Sequence, residues 1–121
     1  MDSGHSQIMI APYSNEARSP QSSWVEVTHG ISWDTAPQWS PDGKLVYFTS
    51  GRDGFRCIWA QRLDASRRPA GDPFAVYHFH TARRSPGLVP FNGMDMFVGT
   101  KEIYLSLGEL SGNIWMAKVA E

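Results

Sequence analysis

Two histidines and two arginines that lie close together in the chain have the clearest capacity for chemistry. His78 and His80 flank Phe79. Side chains two residues apart on a β-strand point to the same face, so both imidazoles could approach one ligand. Two imidazoles can begin a zinc site, but zinc takes further side-chain ligands, and no third one lies nearby in the sequence. The sequence therefore predicts ordinary edge-strand histidines with no metal and no cofactor, and leaves His78 and His80 as candidate binding residues.

The adjacent arginines, Arg83 and Arg84, follow in the segment from residue 80 to residue 85. A guanidinium group can hold a carboxylate or a phosphate through two parallel hydrogen bonds. Arg83 and Arg84 are therefore candidate binding residues for an anionic group. The alternative interpretation is a solvated basic loop, and the sequence leaves both open.

Catalytic side chains are not indicated. The only cysteine, Cys57, stands beside Ile58 and Trp59, where we expect a small buried hydrophobic residue. One cysteine also excludes an internal disulfide framework and a multi-cysteine zinc site. The chain contains no G-x-S-x-G elbow, no H-E-x-x-H pair and no phosphate-binding glycine loop. We therefore predict no catalytic residue and no enzymatic activity.

Two aspartates that could be taken as cation ligands belong to turn motifs. Pro41, Asp42 and Gly43 follow Ser40, and Asp53 precedes Gly54 after an arginine. Proline presets a turn's φ, aspartate bonds nearby backbone, and glycine accepts positive φ. We interpret Pro41, Asp42, Gly43, Asp53 and Gly54 as structural turn residues.

The turns separate short runs of β-branched and aromatic residues, which are typical of strands. We expect four strands in the central part of the chain: one near Gln38, and others at 44–50, 55–63 and 73–79. The pattern recurs. Trp24–Val27 is repeated by Phe74–Tyr77, and the central strands are answered again between residues 103 and 115. Self-similarity at about 40 to 50 residues, with four short strands per unit, is the signature of a β-propeller.

The fold class is therefore predicted as all-β, with propeller blades of four-stranded antiparallel sheet. Residues 1–30 form a partial blade with its last two strands, 31–81 a complete blade, and 82–121 a partial last blade with its first three strands. Such a set cannot close a ring, so we interpret it as the C-terminal part of a longer protein. Exposed blade edges invite strand pairing, and we predict a homo-oligomer formed through them.

The composition and charge of the chain limit the classes of partner that it is expected to bind. The chain has 121 residues, is 41% hydrophobic and 19% charged, and carries a formal net charge of −1. This balance favours neither nucleic acid nor an anionic membrane surface. No run reaches the roughly 18 apolar residues of a membrane span. The five tryptophans are interpreted as packing between blades, with a carbohydrate or peptide platform at Trp24 or Trp33 as the alternative.

The central unit resembles the WD40-like repeat of TolB-type β-propellers, the PD40 repeat. The resemblance is carried by Trp39–Lys44 (WSPDGK), Val46–Ser50 (VYFTS), Arg52–Gly54 (RDG) and Ile58-Trp59; the segment Gly108–Trp115 (GELSGNIW) is similar to the last blade of bacterial multidomain proteins with this propeller. The resemblance implies a non-enzymatic segment of a larger bacterial protein that binds a protein or peptide or serves as a scaffold. The alternatives are an accessory, gating propeller of a serine hydrolase or peptidase, and a fragment with no independent function. The resemblance is compatible with a location in either the periplasm or the cytoplasm of a bacterium.

Overall fold

A computed structural model describes residues 5–15, 20–80, 84–85 and 96–109. Within these ranges the chain forms ten strands, one short 3₁₀ helix at Gln21–Ser23 and no α-helix. The strands are β1 (Met9–Ile10), β2 (Val25–Glu26), β3 (Asp34–Trp39), β4 (Leu45–Ser50), β5 (Cys57–Arg62), β6 (Phe74–Tyr77), β7 (Arg84–Ser85), β8 (Met96–Val98), β9 (Ile103–Leu105) and β10 (Gly108–Glu109). Every pair of these strands is antiparallel. The prediction of an all-β, antiparallel fold is confirmed for the described residues.

The central feature is a four-stranded sheet in which β3, β4, β5 and β6 lie side by side in chain order. These strands occupy the four runs in which the sequence predicts strands. β4 and β5 are paired without interruption, from Leu45 opposite Arg62 to Ser50 opposite Cys57. In this up-and-down arrangement successive turns lie at alternate ends of the sheet. The β4–β5 turn therefore lies at the same end as the last residue of β6.

The two turns at residues 40–44 and 51–54 have the contacts of tight reverse turns. The Gly43 N–H donates to the Ser40 carbonyl at 2.9 Å, and the Gly54 N–H donates to the Gly51 carbonyl at 3.0 Å. Gly43 and Gly54 have φ of 72° and 93°, a region that other residues rarely adopt. The Asp42 carboxylate accepts from the Ser40 hydroxyl and the Lys44 N–H, and these hydrogen bonds lower its pKa. These hydrogen bonds within the turn explain why an aspartate stands at position 42.

A compact hydrophobic cluster joins the sheet to the N-terminal hairpin. Val46 and Phe48 of β4 pack with Ile8, Val27 and Leu63, and Phe48 is fully buried. A hydrogen bond adds to this contact, because the Ser6 hydroxyl donates to the Asp34 carbonyl of β3 at 2.7 Å. The β1–β2 hairpin is thereby fixed against one face of the central sheet.

A buried ion pair anchors the β4–β5 turn. Arg52 lies 3.3 Å from the Asp34 carboxylate, whose side chain is fully buried. The guanidinium also lies 5.1 Å from the ring centre of Phe48 and 5.2 Å from that of Trp59. Arg56 donates to the Trp33 carbonyl at 3.0 Å, and burial lowers its pKa although Asp34 opposes this. Both ends of the turn are thus tied to the beginning of β3.

Both outer strands of the central sheet contain a β-bulge. On β3, Ala36 and Pro37 stand opposite the single residue Phe48, and Ala36 has a φ of 55°. On β6, Val76 is the extra residue between the Ile58–Tyr77 and Trp59–Ala75 pairs. Bulges and proline blunt a sheet edge against further pairing. Oligomerisation through the blade edges stays a prediction, and these two features work against that route.

The remaining strands form three pairs: β1 with β2, β8 with β9, and β7 with β10. The predicted last strand of the third unit, beyond residue 109, lies outside the described residues. The division of the chain at residues 30 and 81 therefore stays a prediction. Within the described ranges, no helix has the length and apolar character needed to cross a bilayer.

Candidate functional site

Four side chains with metal-binding donor atoms meet at one end of the central sheet. Asp53 lies in the β4–β5 turn, Cys57 opens β5, and His78 and His80 directly follow β6. Because β5 and β6 are antiparallel neighbours, the beginning of one lies beside the end of the other. The pairing of Ile58 with Tyr77 brings Cys57 alongside His78, one residue further along.

One carboxylate oxygen is the centre of the cluster. Oδ2 of Asp53 lies 2.8 Å from Nε2 of His80, 3.1 Å from Nδ1 of His78 and 3.9 Å from Sγ of Cys57. The four donor atoms all lie within 4.8 Å of one another. The other oxygen of Asp53, Oδ1, accepts the Phe55 N–H of the turn at 3.4 Å. Asp53 therefore stabilises the turn through a hydrogen bond to one oxygen, while its other oxygen contacts the two histidines.

The surroundings orient the four side chains. Phe55 stacks on the His80 ring, with centroids 4.5 Å apart and planes inclined by 21°. Trp59 meets His78 edge-on at 6.1 Å. The Phe79 N–H donates to the Cys57 sulfur at 3.3 Å. Cys57 is fully buried, whereas half of each histidine side chain is exposed, so the cluster opens to solvent on its histidine side.

The protonation states of the acidic groups follow from these contacts. Burial alone would raise the pKa of Asp53, but its hydrogen bonds with His80 and the Phe55 N–H, and its attraction to both histidines, hold the pKa below its ordinary value. Burial raises the pKa of the Cys57 thiol, and the negative Asp53 adds to this effect. At neutral pH the carboxylate is ionised and the thiol is protonated. Such a thiol is a weak nucleophile, but it can become a metal ligand by losing its proton.

The structure unites only part of the candidate set derived from the sequence. His78 and His80 come together on one face, as their spacing predicts. Arg83 lies outside the described residues, and Arg84 is described only as backbone in β7, opposite Glu109 of β10. The two residues that complete the cluster were interpreted differently from sequence, Asp53 as a turn residue and Cys57 as a buried hydrophobic residue. Cys57 is indeed buried.

A signal for the missing partners was present in the sequence. If the strands at 55–63 and 73–79 pair as antiparallel neighbours, the start of the first must face the end of the second. Cys57 and His78 stand at those two positions. The turn that precedes Cys57 then brings Asp53 to the same end. Spacing along the chain could not show this, because the carboxylate and His80 are separated by 27 residues.

An open groove lies next to the cluster. It has a volume of about 600 Å³ and runs between β6 and the β8–β9 hairpin. Its walls are mostly apolar and aromatic and include Tyr47, Tyr77, Phe79 and Leu107. Tyr77 and Phe79 pack against each other with ring centres 4.7 Å apart. Phe79 thus belongs to the groove through its ring and to the cluster through its backbone.

Comparison with known proteins identifies one short similarity. A protein of Agrobacterium fabrum (strain C58) named Uncharacterized protein Atu1656 is 45% identical to this chain over 42 residues. The match spans 35% of this chain and 14% of that protein's length. No protein-family model matches the chain, and no solved structure matches it.

Proposed function

We propose that this chain is a non-enzymatic binding and scaffolding segment of a larger bacterial protein, built from blades of a PD40-like β-propeller. The groove between β6 and the β8–β9 hairpin is the observation that carries the binding role. The expected ligand is an extended segment of a partner protein.

Two features support the blade interpretation. The central sheet has four antiparallel strands in chain order, which is the arrangement within a propeller blade. The turns at Asp42 and Asp53 are made by the residues that form the PD40-like pattern, and their glycines have the positive φ that the pattern requires. A rigid sheet of this kind supplies the fixed surface on which a binding groove can be built.

The chemistry of the groove favours a peptide with apolar side chains. Tyrosine and phenylalanine offer a large contact area with little conformational entropy to lose, and the tyrosine hydroxyl can bond to a peptide backbone. Tyr77 is 60% exposed and Leu107 is 39% exposed, so both have surface to bury. One lysine and one glutamate, Lys101 and Glu102, also line the groove. Because their charges oppose each other, we expect a peptide without a strong net charge.

A peptide selection tests this proposal. The intact chain would be presented with a phage-displayed random peptide library, and enriched peptides would be synthesised and titrated by fluorescence polarisation. Removing an anchoring aromatic residue at an interface commonly costs about 2 kcal/mol or more. We therefore expect Tyr77→Ser to weaken binding by about 30-fold.

Tyr13→Ser is the matched control, since Tyr13 is 89% exposed and does not line the groove. This variant should bind the selected peptides like the wild type. Failure to enrich any peptide would refute the proposal, as would peptides that bind Tyr77→Ser and the wild type equally well.

A further inference from the structure

We propose that Asp53, Cys57, His78 and His80 form a four-coordinate zinc site that fastens the β4–β5 turn to the end of β6. The proposal is independent of the peptide groove. Its donor set consists of one sulfur, two imidazole nitrogens and one carboxylate oxygen, which are the ligand types that zinc uses in proteins. Softer thiolate and imidazole donors disfavour magnesium and calcium, which prefer oxygen ligands alone.

The distances are close to those of a tetrahedral site. Zinc bonds of about 2.0–2.3 Å place neighbouring ligand atoms about 3.3–3.8 Å apart at the corners of a tetrahedron. In the cluster, the separations from the Asp53 oxygen are 2.8, 3.1 and 3.9 Å, and no pair exceeds 4.8 Å. Movements of about 1 Å suffice to reach the tetrahedral spacing. The half-exposed histidine side chains can make these movements by rotating.

The charge balance also suits zinc. Binding requires neutral imidazoles with lone pairs at Nδ1 of His78 and Nε2 of His80, an ionised carboxylate and a thiolate. Asp53 supplies its charge already, and Cys57 releases one proton to solvent as its sulfur bonds to the metal. Zn²⁺ with one thiolate and one carboxylate is neutral overall. A neutral complex avoids the cost of a net charge at a half-buried position.

The backbone supports the sulfur ligand in particular. The Phe79 N–H already points at Sγ of Cys57 at 3.3 Å, and such a hydrogen bond stabilises a thiolate. Groups that bond to metal ligands from outside are a regular part of zinc sites. A simple hydrogen-bonded network of Asp53 with two histidines would need neither the cysteine nor this amide.

Zinc titration of the untagged chain provides the test. Bound metal ions would be removed from the chain with a chelator. The metal-free chain would then be titrated with Zn²⁺ in competition with a chromophoric chelator. We expect one equivalent of zinc, with affinity that rises with pH because protons are released. His80→Ala should lower the affinity at least tenfold, because even residues that only support a ligand contribute tenfold or more. His29→Ala is the control, since this histidine is 76% exposed and its partner within the described part of the chain is Glu26, outside the cluster, and it should leave the affinity unchanged.

Cobalt bound to the unaltered chain reports directly on the sulfur ligand. Co²⁺ bound at this site should show intense tetrahedral bands in visible light and a thiolate charge-transfer band in the near ultraviolet. Cys57→Ala should remove the charge-transfer band, and His78→Ala should weaken cobalt binding while the chain keeps its β-sheet circular dichroism. The proposal is overturned if zinc does not bind at one equivalent, if His80→Ala binds it as tightly as His29→Ala, or if bound Co²⁺ lacks the thiolate band.

Discussion

The ion pair between Arg52 and Asp34 allows a quantitative test of how the turn that carries Asp53 is held. Arg52→Gln would leave the fully buried Asp34 carboxylate without its partner at 3.3 Å. Breaking a buried pair on one side costs about 3–5 kcal/mol, because the remaining charge stays out of water. Lost contacts of the guanidinium with Phe48 and Trp59 add about 0.5–1 kcal/mol each. The nearby Arg56, which attracts Asp34, offsets part of the loss. We expect a net loss of about 4 kcal/mol in the free energy of unfolding.

Urea unfolding followed by tryptophan fluorescence measures this loss. With a denaturant slope of about 1.5 kcal/mol/M, the midpoint should fall by more than about 2 M. Domains of this size are stable by only about 5–15 kcal/mol, so the variant should stand close to the limit of folding. Arg68→Gln is the control, because Arg68 is an exposed arginine in the β5–β6 loop, and it should change stability by less than about 0.5 kcal/mol.

A double variant separates the cost of leaving the Asp34 charge unpaired from the cost of the lost guanidinium packing. Asp34→Asn combined with Arg52→Gln removes both charges, so it should be more stable than Arg52→Gln alone. The reasoning is refuted if Arg52→Gln lies within about 1 kcal/mol of the wild type, or if the double variant is the less stable of the two.

Three further predictions concern the core, the turn and the pH dependence. Phe48→Ala should destabilise the chain by about 3–5 kcal/mol in urea unfolding, because this fully buried ring would leave a cavity; a loss below about 1 kcal/mol would contradict the packing described. Gly54→Ala should cost about 1–2 kcal/mol from its φ of 93° alone, since nothing lies within 4 Å of the added Cβ. Gly51→Ala, which meets only the Ser32 hydroxyl at 3.6 Å, should cost less, and equal losses would exclude backbone strain as the cause. Since the folded state lowers the pKa of Asp53 below 3.8, its contribution to stability is present above that pH and is lost as the pH falls through the lowered value. Comparing acid unfolding of the wild type and Asp53→Asn should show a shallower loss of stability in the variant below about pH 4.

The local elements of the fold could be predicted from the sequence because local chemistry determines them. The strand from Leu45 to Ser50 follows from its β-branched and aromatic residues, and the turns at Asp42 and Asp53 follow from proline, aspartate and glycine. The fully buried Phe48 and Cys57 lie in the apolar runs where a core is expected. Each of these features depends on residues only a few positions apart.

The candidate site could be predicted only in part, because it depends on register between distant residues. The spacing of His78 and His80 showed that they share a face, but not what they face. Asp53 and Cys57 join them only through the pairing of β5 with β6. The partnership of Arg52 with Asp34 was missed for the same reason, since no local pattern shows which strand end a turn arginine will reach.

The bulge at Val76 is what allows the histidines to face Asp53 and Cys57. Side chains alternate between the faces of a strand, so one extra residue would exchange the faces of everything that follows it unless a bulge absorbs that residue. With Val76 present, Tyr77 lies opposite Ile58, and the histidines fall on the side of Cys57. If Val76 were instead paired in the ladder opposite Ile58, Tyr77 would lie opposite Cys57, and His78 and His80 would turn away from Asp53. Whether the four donor residues meet therefore depends on how the strand accommodates Val76, and not on the donor residues alone.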